Sequence, residues 1–281
     1  MKQNAEEIKS FVKERYASLA KRKSRSCCSP EATVAPSCCQ QDATSCQAQT
    51  TAERMYSNEE LATLPKDVTD ISLGCGNPTA ISELREGEVV LDLGSGGGID
   101  CFLAAQKVGA QGRVIGLDMT PEMIQLAREN AQKIGASNVE FRLGEMEHMP
   151  IEDNAVDVII SNCVINLSPD KDAVFGEAFR VLKPGGRFCI SDIVLLEELP
   201  EEVKESLDQW AGCIAGALTE NIYLDKLHAA GFVKIIADNN PVPFLAENDT
   251  PQARKPDEPK TYLDLMSKVA SIKVKAFKPD K

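Results

Sequence analysis

Val89-Val90-Leu91-Asp92-Leu93-Gly94-Ser95-Gly96-Gly97-Gly98 decides the fold. An apolar run of strand length ends in an acid and a glycine-rich turn, and Ile99–Val108 follows with the pattern of a helix. Glycines at such a turn permit a tight reversal and let a ligand lie against bare backbone. The next strand-like run, Arg113–Leu117, ends at Asp118, at the spacing where a carboxylate meets ribose hydroxyls. A nicotinamide site expects G-x-G-x-x-G; this chain has Asp92, then Gly94-Ser95-Gly96-Gly97-Gly98.

Further along, strand and helix patterns alternate. Pro121–Ile134 reads as a helix with proline in its first turn and Gly135 past its end. Val139–Leu143 and Val156–Ser161 read as strands. Ala173–Leu182 reads as a helix stopped by Lys183-Pro184-Gly185-Gly186, and Arg187–Ile193 as another strand. This alternation predicts an α/β fold with a mostly parallel sheet and helices on both faces. Beyond Leu199, Glu202–Trp210 and Tyr223–Ala230 read as helices and Phe232–Ala237 as a strand. Tyr262–Ala276 fits a late helix or a strand, and the pattern does not choose.

Upstream, Asn4 to about Lys23 predicts an amphipathic helix, with Asn4 as cap, Glu7 as its reciprocal partner and Ile8, Phe11 and Val12 on the apolar stripe. Periodicity then vanishes. Ser24–Thr50 is rich in Ser, Ala, Gln and Thr, and holds Cys27, Cys28, Cys38, Cys39 and Cys46 without the C-x-x-C spacing of a zinc ribbon. The expected organisation is an N-terminal helix (1–23), a flexible Cys-rich segment (24–54), a cofactor-binding domain (55–195), a helical/α+β region (196–240) and a C-terminal region (241–281).

Forty-three acidic against 31 basic side chains give a net charge of −12, which argues against nucleic acid or an anionic membrane as partner. No stretch nears the ~20 apolar residues of a membrane span. The charged N-terminus lacks the apolar core of a secretory signal, so the sequence reads as cytoplasmic, with its 10 cysteines mostly reduced.

Three of those cysteines sit in distinctive surroundings: Leu73-Gly74-Cys75-Gly76-Asn77-Pro78, Ser161-Asn162-Cys163-Val164-Ile165-Asn166-Leu167 and Trp210-Ala211-Gly212-Cys213-Ile214-Ala215-Gly216-Ala217. Cys163 falls just past a strand's carboxyl end, where open α/β sheets bind ligands. Three thiolates meeting there would make a soft pocket for a thiophilic ion. A single cysteine is more often a small buried hydrophobe, and Cys101 and Cys189, flanked by apolar residues, are read that way. His148 reads as a loop residue and Trp210 as a packing residue.

From Val89 to about Ile193 the chain resembles Rossmann-like class I S-adenosylmethionine-dependent methyltransferases. The likeness rests on the acid–glycine loop, Asp118, Gly144-Glu145-Met146 and Leu182-Lys183-Pro184-Gly185-Gly186. It implies S-adenosylmethionine as cofactor. Gly94, Ser95 and Gly96 would lie under its methionine moiety, Asp92 would order the loop and the amino group, Asp118 with Met119 would take the ribose, and Glu145 and Met146 the adenine edge. Asn162 would touch the cofactor or the transferred methyl, or else serve a turn.

The three cysteine motifs are more specific. They resemble those of the arsenite methyltransferase family, over roughly Tyr56 to Phe277. That resemblance implies methylation of arsenite and then methylarsenite on Cys75, Cys163 and Cys213. It also implies a fourth, more N-terminal thiol, for which Cys46 is the candidate among a crowded set. Glutathione or thioredoxin would serve as thiol donor. Trivalent arsenic carries its own lone pair, so no general base is required. Two rivals stand beside this reading. A methyltransferase for a small organic substrate such as a quinone predicts an apolar pocket and no thiol requirement. A metalloid- or zinc-sequestering protein predicts tight binding by residues 24–50 alone.

Overall fold

The computed structural model describes residues 4–21, 51–69, 76–199, 213–240 and 268–281. Seven strands form one sheet: β1 (Val89–Leu93), β2 (Arg113–Asp118), β3 (Val139–Leu143), β4 (Val156–Asn162), β5 (Leu182–Leu195), β6 (Val233–Asn240) and β7 (Val269–Phe277). Their order is β3-β2-β1-β4-β5-β7-β6. Strands β1 to β5 pair in parallel, whereas β7 runs antiparallel between β5 and β6. This is the Rossmann-like methyltransferase architecture.

The helices are α1 (Ala5–Lys21), the short α2 (Thr51–Met55), α3 (Asn58–Ala62), α4 (Lys66–Thr69) and α5 (Pro78–Ile81), then α6 (Ile99–Val108), α7 (Pro121–Ile134), α8 (Lys171–Val181) and α9 (Glu220–Ala229). Apolar side chains on both strand faces make the sheet the middle of two cores. Leu91, Leu93 and Ile159 pack toward Phe175, Phe188 and Tyr223 on one face. Val90, Val158 and Ile160 pack toward Phe102 and Cys101 of α6 on the other. Strand order reverses at β1, which pairs with both β2 and β4, and such a switch point opens a crevice at the strands' carboxyl ends.

The predicted strands β1 and β3 and helices α6 and α7 have the expected bounds, and β2 and β4 run one residue further. Three local differences have physical reasons. Helix α8 starts at Lys171 rather than Ala173, because the Asp170 side chain caps it by accepting from Ala173 N at 3.0 Å. Strand β5 starts at Leu182. Leu182 pairs with Val156 and Arg187 with Val158, so Lys183-Pro184-Gly185-Gly186 bulges within the strand and does not separate it from the helix. Of the ambiguous C-terminal stretch, the part from Val269 on is strand β7, fixed by ladders on both sides. The expected helix over Glu202–Trp210 and residues 24–50 of the Cys-rich segment fall outside the described residues, whereas residues 51–54, expected to be flexible, belong to helix α2.

Phe188 is fully buried, stacked on Phe232 at 5.4 Å and edge-on to Phe175 at 6.2 Å. Phe188→Ala is expected to lower the unfolding free energy by about 3–5 kcal/mol. Urea unfolding with an unchanged m-value checks this.

Candidate active site

The glycine loop leaves β1 and folds back under the end of β2. Gly94 N and Ser95 N both donate to Leu117 O, at 2.8 and 3.0 Å. Gly94 has φ +69°, and a Cβ there would collide with the γ-methyls of Val164, so neither backbone nor space admits a side chain. Gly96, at φ +50°, faces open space instead. Its N–H donates to Asp118 Oδ2 at 3.0 Å, while Thr120 N donates to Asp118 Oδ1 at 2.8 Å. Burial nonetheless holds the Asp118 carboxyl above its ordinary range.

Above the loop lies a cavity of about 990 Å³, counted with its open mouth. Gly94, Ser95, Gly96, Asp118, Met119, Met146, Asn162 and Cys163 line it. Two of the expected cofactor residues do not. Asp92 is 2% exposed beneath the loop, where its Oδ2 accepts from the Cys101 thiol at 3.1 Å. Burial, with Asp100 nearby, pushes its pKa well above the carboxylate range. Glu145 is turned to α1 and accepts from Lys9 Nζ at 2.8 Å and Lys13 Nζ at 3.0 Å. Its neighbour Glu147 lines the cavity in its place.

At the end of β4, Asn162 joins separate segments. Its Nδ2 lies 2.7 Å from Gly76 O, 3.1 Å from Tyr56 Oη and 3.2 Å from Asp100 Oδ2, and its Oδ1 accepts from Gly76 N at 3.2 Å. The Tyr56 hydroxyl lies 3.0 Å from both Asp100 carboxylate oxygens. Burial raises the Asp100 pKa to about 6, against the pull of the hydrogen bonds from Asn162 and Tyr56. Tyr56 and Asp100 also line the cavity.

Cys163 follows Asn162 directly, with φ +60°, and its N–H donates to Ser191 O at 2.7 Å. Cys213 has φ +63°, and its thiol donates to Cys163 O at 2.8 Å. A left-handed backbone at two non-glycine residues is strain, and such strain concentrates at functional sites. Both cysteines are 6% exposed. Burial pushes the Cys213 thiol far above its ordinary pKa; Asp192 adds to the shift, and Lys171 and Arg15 oppose it. Cys163 is disulfide-bonded, while Cys101, Cys189 and Cys213 are free thiols. Cys75 and Cys46 lie outside the described residues. Gly76, the residue after Cys75, is the one gripped by Asn162, and a Cβ on it would collide with Ser191 Oγ.

Residues 84–231 match a methyltransferase domain family. An arsenic(III) S-adenosylmethionine methyltransferase from Chlamydomonas reinhardtii superposes with a TM-score of 0.63 and 34% identity, over 79% of this chain and 72% of that one. The chain belongs to the arsenite methyltransferase family. The arsenite methyltransferase of Halobacterium salinarum is 45% identical over 87% of this chain and 62% of its own length. For the human arsenite methyltransferase the figures are 41%, 57% and 44%. The chain thus spans less than two thirds of the length of these curated relatives.

S-adenosylmethionine is the cofactor of this arsenite methyltransferase family member, and the residues present fit it. Among the described residues Ser95 Oγ, which is buried, has no hydrogen-bond partner, leaving it for a ligand group. Gly96 leaves room where a Cβ would stand. Asp100 on the cavity wall offers a carboxyl group suited to an ammonium, and Asp118 one suited to a diol.

The sequence reading missed Tyr56, Asp100, Thr120, Lys9, Tyr16 and Glu147, all on the cavity wall. Asp100 had a signal, an acid in the first turn after the glycine loop. Tyr56 had none, because its role depends on a contact 44 residues away in sequence. A buried polar group beside Cys213 was missed as well. Asp192 accepts from Asn166 Nδ2 and Ile193 N, each at 2.9 Å, and Lys171 Nζ donates to Ser168 O at 2.9 Å. Burial carries the Asp192 pKa up to about 7 and the Lys171 pKa down to about 8.

Gly94→Ala is expected to cost about 1–3 kcal/mol of stability through its left-handed backbone and the Val164 collision. It should also weaken S-adenosylhomocysteine binding more than about tenfold, read by calorimetry. The raised Asp192 pKa means the folded state holds a proton that the unfolded chain releases near pH ~4. Its contribution to stability is therefore full below pH ~4 and is lost as pH rises through about 7. Asp192→Asn keeps the acceptor oxygen without the charge. Its stability relative to wild type should climb across that window, as measured by urea unfolding at several pH values.

Proposed function

We propose that the chain transfers methyl groups from S-adenosylmethionine to trivalent arsenic held by cysteine sulfurs, taking arsenite to methylarsenite and then to a dimethylated arsenical. The observation that carries this reading is the meeting of Cys163 and Cys213. The thiol of one lies on the carbonyl of the other, and Cys163 lines the cavity above the glycine loop. The grip of Asn162 on Gly76 supports Cys75 as the third ligand. Cys46 is proposed as the additional thiol for inorganic arsenite.

Soft sulfur suits arsenic(III) far better than oxygen does. Burial keeps the Cys213 thiol protonated. Its proton therefore leaves as the As–S bond forms: the thiol gives it to a hydroxyl on arsenite, and water departs. No protein base is needed for that exchange, and the three sulfurs leave arsenic as a neutral centre with its lone pair free. Bound in the cavity, S-adenosylmethionine would supply an electrophilic methyl on a sulfonium centre. Taking that methyl on its lone pair leaves arsenic two electrons more oxidised. Two of the cysteine sulfurs, departing together as a disulfide, would return it to the trivalent state for the thiol donor to reset. The chain's own work is orientation. Asp118 and Ser95 hold one ligand and the cysteines hold the other, and a fixed approach geometry removes much of the barrier. Leu117, Met119 and Met146 give the cavity apolar walls beside the reacting groups.

The disulfide at Cys163 gives a thiol donor a defined task. Two equivalents of glutathione, or one reduced thioredoxin, would return Cys163 and its partner to thiols and leave as a disulfide. This need fits a reducing, cytoplasmic setting. Among the described residues no helix is long and apolar enough to cross a membrane.

The test is mass spectrometry of products after incubation with arsenite, S-adenosylmethionine and a thiol. Wild type should give mono- and dimethylated arsenicals. Cys163→Ser and Cys213→Ser should each lose more than about a hundredfold in rate while keeping S-adenosylhomocysteine affinity within about threefold. Methylation by both variants at the wild-type rate would sink the proposal.

A further inference from the structure

Helix α1 precedes the sheet in sequence yet supplies part of the wall of its central cavity. Lys9, Val12 and Tyr16 face the same space as Gly94 and Asp118. The helix's apolar stripe serves a second place. Ile8 and Val12 are buried in the cluster that holds Cys163 and Cys213, with Phe11 and Tyr16 packed alongside. One helix therefore covers both the cofactor cavity and the sulfur pair. Tyr16 stands where the two meet. It is close enough to Cys213 and to Asp118 for the charge of either to act on its phenol, and burial keeps that phenol neutral.

The two edges of α1 are held differently. Over the sulfurs the contact is apolar. Over the cavity it is ionic: Lys9 Nζ lies 2.8 Å from Glu145 and 3.1 Å from Glu147, and Lys13 Nζ lies 3.0 Å from Glu145. Lys21 continues the line at 3.0 Å from Glu122 in α7. Apart from buried Glu147 these side chains are partly exposed, so each pair is weak alone and sensitive to salt, but Lys9 and Lys13 converge on one turn of chain. Such a fastening resists opening without forbidding it. A cofactor seated in this cavity lies against that helix, so movement of α1 would widen its way out.

We propose that α1 is the closing element of the active site, clamped by Lys9 and Lys13 on Glu145 and Glu147, and that Tyr16 is a positioning residue that seals the cofactor cavity and the sulfur pair into one compartment. The proposal rests on the reading of the cavity as the S-adenosylmethionine site. It gives the clamp a kinetic task, slowing cofactor exchange, and gives the tyrosine ring a steric one.

The probe is S-adenosylhomocysteine bound to the full chain, with its dissociation followed by stopped flow and α1 protection followed by hydrogen exchange. Wild-type dissociation should quicken as salt rises, and α1 amides should gain protection when the probe binds. Lys9→Glu with Lys13→Glu should raise the off-rate about tenfold and reverse its salt dependence, since salt then screens a repulsion. Adding Glu145→Lys should restore much of the slow release. Tyr16→Phe should behave as wild type, and Tyr16→Ala should release the probe about tenfold faster. If either charge variant misfolds, the wild-type salt series and exchange data still decide. An off-rate indifferent to salt, with α1 protection unchanged by the probe, would overturn this proposal while leaving the cofactor reading intact. Failure of wild type to bind the probe at all would overturn both.

Discussion

The side-chain amide of Asn162 is the fastening on which the site depends. It sits at the end of the central strand β4, one residue before Cys163, and holds Gly76, Tyr56 and Asp100 within 3.2 Å. Those partners come from segments that share no local structure. One carries the residue after Cys75, one is the chain between two short helices, and one is the first turn of α6. An amide can do this because it offers donors and an acceptor on one rigid plane. A carboxylate in its place would face Asp100 and the carbonyl of Gly76 with no proton to give. Cofactor cavity and sulfur pair are thereby tied to the same strand end.

Burial governs the chemistry of the sulfurs and of the acids around them. Desolvation disfavours the charged form of every group at this strand edge, and neighbouring carboxylates strengthen the effect. Asp92, Asp100, Asp192, Cys101 and Cys213 are all shifted up by it. The Cys101 and Cys213 thiols therefore hold their protons at rest. A thiolate waiting in such a place would be costly, whereas a sulfur that loses its proton in the act of bonding is not. Arsenic(III) meets that condition, since each As–S bond can release water and leave no net charge behind.

Much of the fold was legible because its signals are local. Val89–Leu93 is buried on both faces, so an unbroken apolar run marked it, and Gly135 at φ +67° closes α7 where the sequence placed its end. The spacing of Asp118 from the glycine loop foretells their contact, which the Gly96 N–H makes. What escaped the sequence depends on distant partners. The stripe of α1 was visible, but not that it would lie over the cavity, because a stripe tells only that something is covered. Glu145 was placed at the adenine edge since its neighbours fit that pattern, and two lysines 132 and 136 residues away claim it instead. Cys101 was read as core filler, and it is buried, yet its thiol also supports Asp92. The place of β7 was undecidable because its apolar run is defined by ladders to β5 and β6, not by its own period.

That last strand carries a consequence for how the protein is made. β6 is synthesised before β7 but neighbours β5 only through it. Until β7 arrives, β5 presents a bare edge and β6 has no ladder at all, and unpaired edges of this kind invite association between chains. The sheet is thus completed late, by a segment wedged between two strands already present in the emerging polypeptide. Ribosomes paused ahead of Val269 would display an unfinished sheet, a natural client for chaperones.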